Sequence, residues 1–334
     1  MFANSAILTK PRIVAAYAML ATCIASSIRS VDAAEATENY FFILPALTNP
    51  YWQTVKQGIE DASHAAGIKA TVLSPANDQA KEEFVNLCQS AITQKATMIA
   101  VCTTSDTVTL QCLHEAQAHK IKVATVDILV PDEALKRAGI ELSFSIGSDN
   151  RALGKKAADF IISQNKVASP KVLVLEGVVG NTNSADRVDG FKKELTDKIP
   201  KAKIVNTISA EWDRLKALHI TQDTLSRSAD LNIVFAANDM MALGAAEAIR
   251  LAGKTQQISV VGIDGVPDAR KAIAAGRLTA SIAQLPYLIG KRSMELSLQS
   301  MAGKCSGYKE KTPMLVITKS ALEKKADPLF KYVR

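Results

Sequence analysis

The sequence predicts an α/β protein built as two doubly wound parallel-sheet lobes joined by a three-segment hinge. Three observations lead there. Short apolar, β-branched runs alternate strictly with amphipathic helical stretches, the pattern of parallel strands with right-handed crossovers and helices on both faces. The alternation runs once to about Gly147 and begins again at Asn150, in a chain of 334 residues and 48% hydrophobic content that can bury two cores. Finally, several apolar runs end in a polar side chain, and the carboxyl ends of strands are where open α/β sheets bind ligands.

In the first series, strands are expected over residues 40–44, 70–73, 98–102 and 123–127. Between them, Asn49-Pro50 starts a helix that carries Tyr51, Trp52, Val55, Ile59 and Ala62 on one face, followed by helices over 80–94 and 108–119. A loop then leads to residues 144–147, read as the first crossing between lobes. The second series continues with helices over 152–164, 185–197, 213–226 and 240–252, and strands over 172–176, 204–208, 233–236 and 258–263. Pro267 opens a further helix that Gly276 closes, a strand over 278–283 reaches Gln284 at the second crossing, a helix over 289–301 returns to the first lobe, and residues 313–317 make the third crossing. The lobes expected are therefore 38–145 with 285–312, and 146–284 with 313–334. From Lys324 the tail reads as a surface extension.

The first residues have a different character. Lys10 and Arg12 precede a largely apolar run over 13–25, and Val31-Asp32-Ala33 offers small residues for cleavage, so 1–33 reads as a secretory signal peptide. The run is short for an uncleaved membrane anchor. Leu20-Ala21-Thr22-Cys23 resembles a lipoprotein box with Thr before the cysteine, which leaves lipidation at Cys23 open. Beyond the leader stand Cys88, Cys102, Cys112 and Cys305, without a C-x-x-C or a nearby histidine cluster, so no metal site is expected. Cys88 and Cys112 fall on consecutive helices of one sheet face; a disulfide and two buried thiols are both open to them.

Composition excludes some functions. The net charge of +7 comes from dispersed residues with no arginine-rich tract or aromatic-interleaved stripe, which argues against nucleic acid. No G-x-G-x-x-G follows the first strand, and there is no G-x-x-x-x-G-K-S/T or G-x-S-x-G. His64, His114, His119 and His219 lie on expected helices, away from strand ends. Neither catalysis nor a cofactor is expected.

What remains is a crevice. Asp127 ends the run VATVD, Asp264 ends ISVVGI, and Gln284 ends LTASIA, while Tyr51 and Trp52 sit in a first helical turn that faces the strand ends. Three have a plainer alternative: Asp264 as a turn or helix cap, Tyr51 and Trp52 as core.

Four stretches bear on the choice: LTNPYW at 47–52, AEWDRLKAL at 210–218, FAANDMMALGAAEAI at 235–249, and VVGIDGVPDARKAIAAGRLTASIAQLP at 260–286. In order and spacing they resemble the periplasmic sugar-binding proteins of the ribose and allose group, the allose type above all, across about residues 40–317. Their fold is the type I periplasmic binding protein, shared with the effector domains of lactose-repressor-type regulators; a repressor's helix-turn-helix would need the space taken by the leader.

The resemblance implies a monomeric periplasmic protein that closes on a monosaccharide and delivers it to an ABC importer permease, with docking on a chemoreceptor or sensor kinase as the alternative use. It also implies that Trp52 and Trp212, the only tryptophans, sandwich the sugar ring, and that Asn49, Asp127, Arg187, Asn238, Asp264 and Gln284 bond its hydroxyls. For Arg187 a surface ion pair, and for Asn238 a helix cap, are the alternatives. Two positions depart from the group: Pro45 stands where allose-type proteins have lysine and ribose-type proteins a hydroxyl residue, and Ile128 stands where ribose-type proteins have arginine. Two missing donors would favour a ligand with fewer polar groups at that end, such as a deoxy sugar, a ketose or a short polyol.

Overall fold

Strands that are covered on both faces must be apolar along their whole length, and β1 (Tyr40–Ile43), YFFI, is buried at every position. The computed structural model describes residues 38–103, 105–164 and 167–334. The expected leader over 1–33, with Cys23, lies outside them. After β1 come α1 (Pro50–Ala65), β2 (Ala70–Leu73), α2 (Lys81–Thr93), β3 (Met98–Val101), α3 (Asp106–Ala118), β4 (Lys122–Val126), α4 (Asp132–Ala138) and β5 (Phe144–Gly147). A second series runs α5 (Asn150–Gln164), β6 (Lys171–Glu176), α6 (Thr182–Lys198), β7 (Lys203–Ser209), α7 (Arg214–Arg227), β8 (Ile233–Ala236), α8 (Asp239–Leu251), β9 (Ser259–Asp264), α9 (Pro267–Ala274) and β10 (Ala280–Ala283). The chain closes with α10 (Pro286–Met301), β11 (Tyr308–Lys311), β12 (Leu315–Ile317), α11 (Lys319–Lys324) and a 3-10 turn at Pro328–Tyr332.

Two six-stranded sheets result, in the orders β11-β5-β4-β3-β1-β2 and β12-β10-β9-β8-β6-β7. Among the described residues all pairings are parallel except β10 with β12, so both sheets are doubly wound about β1 and β6, as the alternation predicts. The chain passes between sheets after β5, after β10 and between β11 and β12.

Three stretches differ from the sequence reading. Phe144–Gly147 is a fully buried strand of the first sheet, paired with β4, and the crossing follows it. Asp132–Ala138 is a helix too short to show a period, favoured by Asp132 and Glu133 in its first turn, Lys136 and Arg137 in its last, and Gly139 in a left-handed cap at φ 64°. Tyr308–Lys311, YKEK, is an edge strand whose charged, mostly exposed side chains carry no apolar signal.

Glycines set two helix contacts. A Cβ on Gly58 would overlap the Tyr287 carbonyl and one on Gly290 the Val55 carbonyl, so α1 and α10 meet backbone to backbone. In the second lobe Gly154 and Gly190 do the same for α5 and α6, where a Cβ on Gly154 would overlap the carbonyl of Arg187. Cys88 and Cys112 form a disulfide between α2 and α3 with Cα atoms 5.8 Å apart, which decides the alternative left by the sequence. The tail is more than a surface extension: the Arg334 carbonyl accepts from Arg270 of α9 at 2.6 Å, and its guanidinium lies 4.6 Å from the Tyr287 ring of α10.

Candidate ligand-binding cleft

The strand ends of both lobes face one narrow cavity of about 50 Å³. The first lobe contributes Asn49, Tyr51, Trp52 and Asp127 to its lining; the second contributes Arg187, Trp212, Asn238 and Asp264; Gln284 comes from the second crossing. Pro45 lines the same space. All nine candidate contacts of the sequence are thus brought together, and Pro45 with them.

Ile128 is not. Asp127 has a left-handed backbone at φ 61°, which turns the chain sharply after β4. The Ile128 carbonyl then accepts from Thr125 at 2.7 Å and Ser145 at 2.9 Å, while its side chain lines a neighbouring cavity with Leu129, Val130 and Pro131. Of the two departures expected to remove donors, Pro45 alone stands in the lining.

Non-glycine residues with positive φ gather around the cleft: Asp127, Glu211 at 53°, Trp212 at 65°, Asp264 at 127° and Leu285 at 59°. Each costs on the order of 1–3 kcal/mol and is held there by its surroundings. Trp212 is half-buried, lies against Gly177, where a Cβ would overlap its indole, and has the Arg187 guanidinium carbon 5.7 Å from its ring centroid. Trp52 is buried and meets the Tyr51 ring edge to face at 4.9 Å.

Arg187 sits in the second turn of α6, only 4% exposed, and not in a surface ion pair. Its Nε donates to Asn150 Oδ1 and its Nη1 to the Ala237 carbonyl, both at 2.8 Å, and Nη1 lies 3.6 Å from Asp264 Oδ1. Asp264 also accepts from Gln284 Nε2 at 2.6 Å. Across the cleft, the Tyr51 hydroxyl donates to Asp127 Oδ1 at 2.6 Å. Burial pushes the Asp127 carboxyl up to about 6, against the pull of Arg187 and the Tyr51 bond. Asp264 is raised as well, first by burial, with Arg187 opposing. Tyr51 is pushed well above the usual phenol range by burial and then by the Asp127 charge.

Asn49 and Asn238 do cap their helices, accepting from Tyr51 N at 3.0 Å and Met241 N at 2.9 Å through Oδ1. Both also line the cavity, so cap and lining are compatible. Sequence reasoning missed Asp78, Cys102, Thr103, Asn181 and Asn183, which complete the lining. Asn181 and Asn183 lie in GNTNSAD at 180–186, just before Arg187, where a helix start beside a strand end is the available signal. Asn183 Nδ2 donates to the Asp127 carbonyl at 3.0 Å and Thr182 to Asp106, so the start of α6 bonds the first lobe directly.

Comparison with known proteins agrees with this architecture. A family model described as a periplasmic binding protein domain matches residues 40–305. The D-allose-binding periplasmic protein of Escherichia coli K12 is 32% identical over 265 residues, covering 79% of this chain and 85% of its own. The solved structure of an ABC transporter periplasmic solute-binding protein from Actinobacillus succinogenes 130z with bound D-allose aligns with a TM-score of 0.79 at 26% identity, covering 86% of this chain and 99% of that one. An ABC transporter solute-binding protein from Agrobacterium vitis with bound D-fucose aligns with a TM-score of 0.80 at 26% identity, covering 88% and 99%. With two doubly wound lobes, three crossings between them and a family match spanning both series, the chain belongs to the periplasmic binding proteins.

Proposed function

We propose that this chain is an exported solute-binding protein that captures a monosaccharide between its lobes in the periplasm and delivers it to an ABC importer. The observation that carries the reading is the cavity itself, in which Trp52 and Trp212 come from different lobes and a buried polar set surrounds them. Aromatic faces suit the C–H surface of a sugar ring, and the carboxylates of Asp127 and Asp264, with Arg187, Asn49, Asn238 and Gln284, suit its hydroxyls. Each hydrogen bond to a charged group is worth roughly 1.5–3 kcal/mol, so this polar set decides which sugar fits. The sugar-binding relatives and the neighbours with bound D-allose and D-fucose support the same class of ligand.

Capture follows from the topology. A ligand touching both lobes stabilises the closed form by its extra affinity for it, and short crossings at one edge take up the rotation. Asn183 with Asp127 and Thr182 with Asp106 add direct bonds between lobes in that form. The test is calorimetric titration of the protein, unfolded and refolded to strip any ligand, against pentoses, hexoses, deoxy sugars and polyols. Saturable binding of one monosaccharide is expected; no heat with any member would overturn the reading.

A further inference from the structure

The charged groups facing the cavity are unevenly balanced. Asp127 and Asp264 are 4% and 3% exposed, and Arg187 is the cation of the lining among the described residues. That cation is committed to the second lobe: it reaches Asp264 at 3.6 Å and spends two further donors on Asn150 and Ala237. Asp127 has no cation within ion-pair distance among the described residues, and its carboxylate accepts from the neutral Tyr51 hydroxyl. A second observation points the same way. Gln284 is 1% exposed, gives its amide nitrogen to Asp264, and leaves Oε1, a buried acceptor, without a hydrogen bond. Pro45, in the same lining, supplies neither charge nor donor. The cleft is therefore short of positive charge and rich in acceptors.

We infer that the cleft selects a monosaccharide carrying a protonated amino group, with the ammonium placed against Asp127 of the first lobe. This rests on the reading of the cavity as a monosaccharide site. An ammonium brings one positive charge and three donors on a single atom, where a hydroxyl brings one donor and no charge. Charge-assisted bonds to carboxylate are about twice as strong as neutral ones, and a buried carboxylate gains most from such a partner because little water screens it. The raised carboxyl of Asp127 fits this account: ionising it in the closed cleft costs free energy that a neighbouring cation returns.

The purified protein, refolded free of ligand, is titrated at pH 7.5 with 2-amino-, 3-amino- and 6-amino-hexoses, their parent hexoses, and N-acetylglucosamine, in which acylation removes the charge. One amino sugar is expected to bind at least about tenfold tighter than its parent and its neutral analogues. Asp127→Asn, which removes a lining carboxylate and should weaken every sugar, is expected to bring that ratio close to one. Pro45→Lys, which places an ammonium on the protein instead, should turn the preference towards the neutral parent. A neutral hexose or pentose that binds tighter than every amino sugar, with or without proton uptake, would overturn the inference and leave the sugar-binding reading intact. Silence with the whole panel would overturn both.

Discussion

Gly177 lies directly under the indole of Trp212: a Cβ at this position would overlap three atoms of the six-membered ring. The glycine follows β6, and the Trp212 backbone is already in the left-handed region at φ 65°, so the ring's place depends on the missing side chain as much as on its own turn. Gly177→Ala should move the indole out of the cleft. The expected result is a loss of affinity of about tenfold or more with the far-ultraviolet circular dichroism unchanged. Unaltered affinity would show that the ring does not touch the ligand.

The two tryptophans should respond differently to truncation. Trp52 is 8% exposed and packed on Tyr51, whereas Trp212 is half-buried. Trp52→Ala is expected to cost about 3–5 kcal/mol of stability as well as binding, the range for buried aromatics. Trp212→Ala should weaken binding with a much smaller change in denaturation midpoint. Urea titrations of both variants beside calorimetry would separate the effects, and an unfolded Trp212→Ala would assign that ring to the core.

Asp127 makes closure without ligand sensitive to pH. Its carboxyl is raised to about 6 in the closed cleft, above the value of about 4 for a solvated aspartate. Between those values the closed form binds more protons than an opened one. Closure is therefore unpenalised below about pH 4, loses on the order of 2–3 kcal/mol as pH rises to about 6, and loses no more on this account above it. Small-angle scattering of ligand-free protein should give a larger radius of gyration at pH 7.5 than at pH 4.5. Equal radii would contradict it.

The Cys88–Cys112 disulfide closes a loop with a sequence separation of 24. Constraining a loop of that length is worth about 3 kcal/mol through the unfolded state. Neither cysteine lines the cavity, so reduction should lower the free energy of unfolding by about that amount, with a lower denaturation midpoint, and leave the affinity for ligand unchanged. Equal midpoints with and without reductant would show that the bond contributes nothing.

Much of the architecture is legible in the sequence because parallel strands buried on both faces must be apolar throughout, and runs such as VVGI and IVFA have no other simple reading. The polar residues that end these runs, Asp127, Asp264 and Gln284, could be located for the same reason. What was hidden depends on local geometry. No composition signals that Asp127 and Trp212 take left-handed backbones, since neither is glycine, and that turn is what carries Ile128 away from the cleft. Asp78, Thr103 and Asn183 stand in loops and a first helical turn, where polar residues are common and mostly serve caps. Strand β11 escaped notice because its charged side chains, with both lysines exposed, follow the rule for edges and not the rule for cores.

The threading of the chain has a consequence for how it is made. Helix α10 packs against α1, and β11 completes the edge beyond β5, so the first lobe draws on residues 286–311 and cannot be finished by its own first series. A growing chain that has produced everything up to β10 can complete most of the second sheet, yet it still lacks a helix and a strand of the first. Such long-range pairing slows folding, because loop closure must come before the contacts that reward it. Nearly the whole chain must therefore be made before the α1 face and the β5 edge of the first lobe are covered.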